Sequence, residues 1–114
     1  MKLSERIAAN RNRDRRKIPV EKWSDETEKV FIYSTPLTAG DLHRLQRKHK
    51  DFLSNQTIEG MIDLILMKAE DEDGKKVFTL EDKPVLMRED VGTIAEIAAQ
   101  MFGDAADIEE LEKN

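Results

Sequence analysis

One stretch, TIEGMIDLILMKAEDEDGKKVFTL at residues 57–80, does most to limit what this chain can become. Ile58, Met61, Ile62, Ile65, Leu66 and Ala69 recur at three- and four-residue steps, and Leu64 and Met67 broaden that face beyond a single stripe. A helix apolar over so much of its surface belongs in the middle of a domain. The acidic run Asp71-Glu72-Asp73-Gly74 ends it, because Gly74 can adopt the positive φ that reverses a chain, and Val77-Phe78 then returns an apolar pair in β-type residues.

The rest of the chain must supply the cover for that helix from little apolar material. Of 114 residues, 39% are hydrophobic and 38% charged, against the ~25% charge of an ordinary globular domain, so one modest core with a wet surface is expected. The chain reads as a small single α+β domain, mostly helical: an N-terminal β-hairpin followed by a compact set of three to five helices. Residues 1–17 form a basic helix or linker and residues 18–114 the domain proper.

Leu3, Ile7 and Ala8 have the spacing of a short amphipathic helix, and the NRNRDRRK run after it is a linker or a solvated extension. Ile18-Pro19-Val20 through Trp23 reads as an edge strand, where a proline does no harm, and Lys29 to Tyr33 as its hairpin partner. Thr38 and Asp41 have capping-box spacing and open a helix with Leu42, Leu45, His49, Phe52 and Leu53 inward and Arg44, Arg47, Lys48 and Lys50 outward. The central helix takes its cap from Ser54-Asn55-Gln56-Thr57. Thr79 with Asp82 starts a short helix to Met87 with Pro84 in its first turns, and Asp90 caps a longer one, Val91–Phe102, that Gly103 ends. Asp104 with Asp107 starts a last turn holding Ile108 and Leu111.

Several function classes are excluded or weakened on chemical grounds. Without cysteine there is no disulfide, thiolate nucleophile or cysteine zinc site, which fits a reducing compartment. No apolar run approaches the ~18 residues that span a bilayer, and MKLSERIAANRNRDRRK lacks the apolar centre of a signal peptide, so a cytosolic protein is expected. His43 and His49 are six apart, off the spacing that presents two imidazoles to one metal from a helix. The acidic turn is not a calcium loop: with Gly74 at the sixth position, the first falls on Ala69 and the twelfth on Leu80. There is no phosphate-cradling glycine loop, nucleophile elbow or triad, and the carboxylates sit in polar turns and helix starts. A non-enzymatic protein without cofactor or metal is expected.

Charge is unevenly spread. Residues 1–17 carry seven Lys/Arg against two Asp/Glu, a net of +5, while residues 70–114 carry five against fourteen, a net of −9. Opposite ends of this kind would allow head-to-tail self-association. Arg11, Arg13, Arg15 and Arg16, with the Arg44 to Lys50 strip, would suit nucleic-acid phosphates, but no aromatics are interleaved and the total is −5, so a solvated charge run is favoured. Trp23, the only tryptophan, is either a contact hot spot or a cap over a small core.

The order of the pieces carries a likeness. LSERIAAN, then KIPVEKW, then VFIYSTPLTAGDLHRL, then an apolar helix running into DEDGKKVFTLED, and a close near LEKN, resembles the tail assembly chaperones of long-tailed, siphovirus-type bacteriophages. The resemblance covers nearly the whole chain and rests most on the DEDGKKVFTLED turn and helix start. It implies a non-enzymatic factor in tail morphogenesis that binds the tape measure protein in the host cytoplasm and is absent from the mature virion. It implies as well that a longer, frameshifted form would engage the tail tube protein. Such a client calls for adaptable apolar side chains, and Met61, Met67, Met87 and Met101, with Trp23, Arg44 and Arg47, are the candidates for partner contact. The alternatives are a small nucleic-acid-binding accessory protein and a structural head-tail component.

Overall fold

A computed structural model describes residues 2–13 and 15–103. Helix α1 (Leu3–Arg13) comes first, and every residue from Lys2 to Asn10 is exposed, Leu3 and Ile7 included. The NRNR run thus continues that helix. Strand β1 (Arg16–Pro19) pairs antiparallel with β2 (Phe31–Ser34), with Ile18 opposite Ile32. These two isoleucines are 1% and 3% exposed and form the hairpin's contribution to the core, while Lys17 lies 4.2 Å over the Phe31 ring on the outer face.

The first strand is shorter at its far end than the sequence suggests. Val20 still donates to the Val30 carbonyl, but the next rung is taken by the Ser24 hydroxyl, which accepts from Val30 N–H (2.7 Å) and donates to the Val20 carbonyl (2.8 Å). A side chain in place of a backbone rung frees residues 21–23 to curl into a 3-10 turn, Glu21–Trp23. Trp23 therefore sits in that turn and not in the strand.

Three helices cover the sheet and one another: α2 (Ala39–Lys48), α3 (Ile58–Lys68) and α5 (Val91–Phe102), with the short α4 (Lys83–Met87) between the last two. Thr38 and Asp41 make the reciprocal capping box, Thr57 accepts from Gly60 N–H, and Asp90 accepts from Thr93 N–H, so each start is set by a residue within three of it. A 3-10 turn, Leu80–Asp82, precedes α4 and puts Pro84 in its first turn, where the missing donor costs nothing. Helix α2 stops at Lys48, so Phe52 and Leu53 lie in the turn beyond it rather than on its face. Both are nonetheless buried.

The core is the α3–α5 interface closed by the hairpin. Ile62, Ile65 and Ala69 of the central segment are fully buried against Ile94, Ile97, Ala98 and Met101, and Phe52 meets Phe102 edge-on at 5.6 Å. Each such isoleucine or leucine removed from water contributes about 1.5–3 kcal/mol. The last turn expected from Asp104 onward lies outside the described residues.

The acidic turn is held to the sheet by an arginine. Glu70 pairs its backbone with Tyr33, Asp71 Oδ1 accepts from the amides of Asp73 and Lys75, and Gly74 takes φ +86. Arg15 donates to the carbonyls of Asp71 (2.6 Å) and Glu72 (3.0 Å) and stacks 5.1 Å over the Tyr33 ring. At the other end, Gly103 closes α5 at φ +47 and ψ −126, and a Cβ there would run into the Arg16 guanidinium. Gly103→Ala is expected to cost about 1–3 kcal/mol, read from a urea melt, through backbone strain in a region reserved for glycine. An unchanged midpoint would show that the helix end is not held in this conformation.

Candidate functional site

The candidate site is a groove of about 480 Å³ between α2, α3 and the 76–80 segment. It exists because α2 and α3 are joined through polar side chains near their ends, whereas α3 packs its broad apolar face mainly on α5. At one end, Lys68 Nζ lies 2.8 Å from Asp41 Oδ2 and 2.8 Å from Thr35 Oγ1, with the Pro36 carbonyl at 3.3 Å. Lys68 and Asp41 are 7% and 5% exposed, so this is a buried ion pair with its remaining hydrogen-bonding capacity met. At the other end, Asp63 lies 2.7 Å from His49 Nε2, 3.2 Å from Lys48 Nζ and 3.1 Å from Lys83 Nζ. The two helices run antiparallel with these two bolts between them.

The span between the bolts is apolar. Leu45 and Leu66 form the floor with Met67, and Phe78 forms part of the far wall. Phe78 is held from behind by the edge of Trp23, whose ring centroid is 6.2 Å away and whose indole N–H donates to Glu89 at 2.8 Å. Leu80, 81% exposed, stands at the mouth. A leucine so exposed beside a partly filled apolar groove is the kind of feature that marks a contact surface. Arg44 and Lys48 stand on the α2 side and Lys76, which donates to the Met67 carbonyl, on the other.

Two of the carboxylates that shape the site are held below the ordinary range. For Asp41, burial pushes the carboxyl up, but the hydrogen bonds from Lys68 and the Thr38 amide and the Lys68 charge outweigh it. For Asp63, burial again works upward and is overcome by hydrogen bonds from His49, Lys83 and Lys48. A lowered folded pKa means that the stability these groups supply is complete above the unfolded carboxylate value of ~4 and drains away as pH falls through the folded values. Thermal melts are therefore expected to hold level from neutrality to about pH 4 and to drop below it. A melting temperature that rose as the pH fell below about 4 would contradict the two bolts.

The residues singled out from the sequence fall in different places. Arg44 and Met67 meet in the groove, and Trp23 supports it through Phe78 without lining it. Arg47 is exposed on α2 outside the groove, and Met61 is half-buried against the core. Met87 is 52% exposed on α4, away from the groove lining. Met101 is 2% exposed and packs in the α3–α5 core, so it offers no surface to a partner. Of the arginines proposed for phosphate, Arg15 is spent on the acidic turn and Arg16 donates to the Gln100 carbonyl at 3.3 Å. Sequence reasoning did not assign Phe78, Leu80 or Lys76 to a site, although Leu80 sits beside the Thr79–Asp82 capping box, where a leucine at the first position of a turn faces outward.

Among the described residues no cluster of three His, Asp or Glu is placed to hold a metal ion, and no helix is long and apolar enough to cross a membrane. Compared with protein-family models, curated proteins and solved structures, the chain matches none. The class these observations define is a small α+β domain with an apolar, cation-flanked groove.

Proposed function

We propose that this domain is a non-enzymatic assembly chaperone that shelters an apolar segment of a long structural protein, specifically a tail assembly chaperone acting on the phage tape measure protein in the host cytoplasm. The observation that carries the reading is the groove itself, with Leu45, Leu66, Met67 and Phe78 lining it and Leu80 exposed at its mouth. Methionine and leucine on a partly filled surface can repack against varied partners, which suits a client with many similar segments along its length. The resemblance of the DEDGKKVFTLED region supports the choice of client, since Lys76, Phe78 and Leu80 of that motif form one side of the groove. On this reading the groove is a holding site, left when the tail tube assembles around the client. A frameshift-extended form that meets the tail tube protein would carry the same groove.

Co-expression with the tape measure protein, followed by affinity capture at low and high salt, tests the proposal. A soluble complex that survives high salt and carries no nucleic acid is the expected result, because apolar contacts persist where phosphate contacts are lost. Failure to recover the tape measure protein, or its recovery only through bound nucleic acid, would overturn it.

A further inference from the structure

The walls of the groove carry Arg44, Lys48 and Lys76 against one acid, Asp63. Arg44 and Lys48 line the α2 wall with side chains 63% and 57% exposed, and Lys76 lines the opposite wall. The acid that lines the groove, Asp63, already has His49, Lys48 and Lys83 around its two oxygens. Arg44 is free to move toward a ligand at little cost, since its pairing with Asp41 is at the surface on the arginine side and Asp41 keeps Lys68 when the arginine leaves. Lys48 is taken by Asp63 at 3.2 Å and Glu59 at 3.5 Å, so the cations offered above the apolar floor are Arg44 on one wall and Lys76 on the other.

The backbone argues against an extended occupant. Two of the walls are helices, whose backbone groups are met internally, and on the third Val77 N–H already donates to the Ala69 carbonyl at 3.2 Å. A strand would find no ladder to join on the two helical walls, whereas a helix needs only side-chain contacts. A groove of about 480 Å³ takes the apolar side of about two turns of one helix, which is 10–12 Å across with its side chains.

We infer that the groove binds an amphipathic helix with a Leu/Ile/Met/Phe stripe facing the floor and Asp or Glu along both flanks. This rests on the chaperone reading and narrows it: the client segments held would be the acidic amphipathic ones, not any apolar stretch. The flanking acids meet Arg44 on one side and Lys76 on the other, which sets both orientation and choice of segment.

Two synthetic helical peptides that share one Leu/Ile stripe and differ only in Glu or Lys flanks test this by fluorescence anisotropy with the full chain. The Glu-flanked peptide is expected to bind roughly tenfold or more tighter, a gap that narrows with salt, and the Arg44→Glu/Lys76→Glu double variant should reverse the order. Amide shifts on binding should centre on Leu66, Met67 and Leu80. Equal affinity for the two peptides, preference for the Lys-flanked one, binding of neither, or shifts centred away from the groove would each overturn the inference. So would a concentration-dependent dimer that the Leu80→Glu variant abolishes, since a second copy would then be the occupant. None of these decides whether the tape measure protein is the client, which the capture experiment reads separately.

Discussion

Replacing Lys68 by alanine is expected to destabilise the protein by about 2–4 kcal/mol. The substitution leaves Asp41, at 5% exposure, with only the exposed Arg44 guanidinium as its cation, and it strips a donor from Thr35 and from the Pro36 carbonyl together. The lost energy is chiefly the cost of leaving a buried carboxylate and two partly buried oxygen acceptors short of a donor rather than the worth of the pair. That distinction has its own signature: Lys68→Met combined with Asp41→Leu should recover most of the loss, because two apolar side chains of similar size need no partners. Recovery would be incomplete, since Asp41 also accepts from the Thr38 amide in the capping box of α2. Urea denaturation of the three variants reads all of this. A Lys68→Ala loss under about 1 kcal/mol would place the pair in solvent and remove one of the two bolts that set the groove.

The second large effect falls on binding and not on folding. Leu80 is 81% exposed, so Leu80→Glu should change stability by no more than about 0.5 kcal/mol, as surface substitutions do. It puts a charge at the mouth of an apolar groove, and loss of an anchor of this kind costs about 2 kcal/mol of binding or more, roughly thirtyfold in affinity. Capture of the tape measure protein should fall accordingly. Val85→Glu is the matched control, because Val85 is 65% exposed on α4 and does not line the groove. Equal loss from both substitutions would mean that general surface apolarity, not the groove, holds the client.

What the sequence discloses here is what is decided within a few residues. The capping residues Thr38, Thr57 and Asp90 accept from amides three positions on, and the Thr79 amide donates to Asp82 three positions on, so the starts of α2, α3 and α5 and of the turn before α4 are legible by spacing alone. Gly74 and Gly103 take positive φ where the chain turns, again a local matter. Periodicity failed where burial and conformation part company: Phe52 and Leu53 continue the apolar pattern of α2 and are buried, yet they belong to a turn. The Trp23 strand failed because Ser24 replaced a ladder rung, and no composition rule anticipates a hydroxyl in that place.

The site was harder to read than the fold because its parts are far apart in sequence. Lys68 looks like the polar end of an apolar helix until Asp41, 27 positions away, is found beside it. Arg15 looks like one of a phosphate-binding run until the carbonyls of Asp71 and Glu72 are seen to occupy it. Trp23 needed Glu89 and Phe78, both supplied by later elements, before its role as a support became visible. Nothing local distinguished Met67 from Met61 or Met101, or Arg44 from Arg47, of which only Met67 and Arg44 line the groove.

The central claim is that the groove is where the client sits, and site-specific photo-cross-linking tests it most directly. A photoreactive side chain placed at position 80, and in a separate variant at position 85, would be activated in cells that co-express the tape measure protein. The account predicts a cross-link to the tape measure protein from position 80 and little from position 85. A cross-link from position 85 alone, or from neither position in cells where the two proteins are captured together, would contradict it.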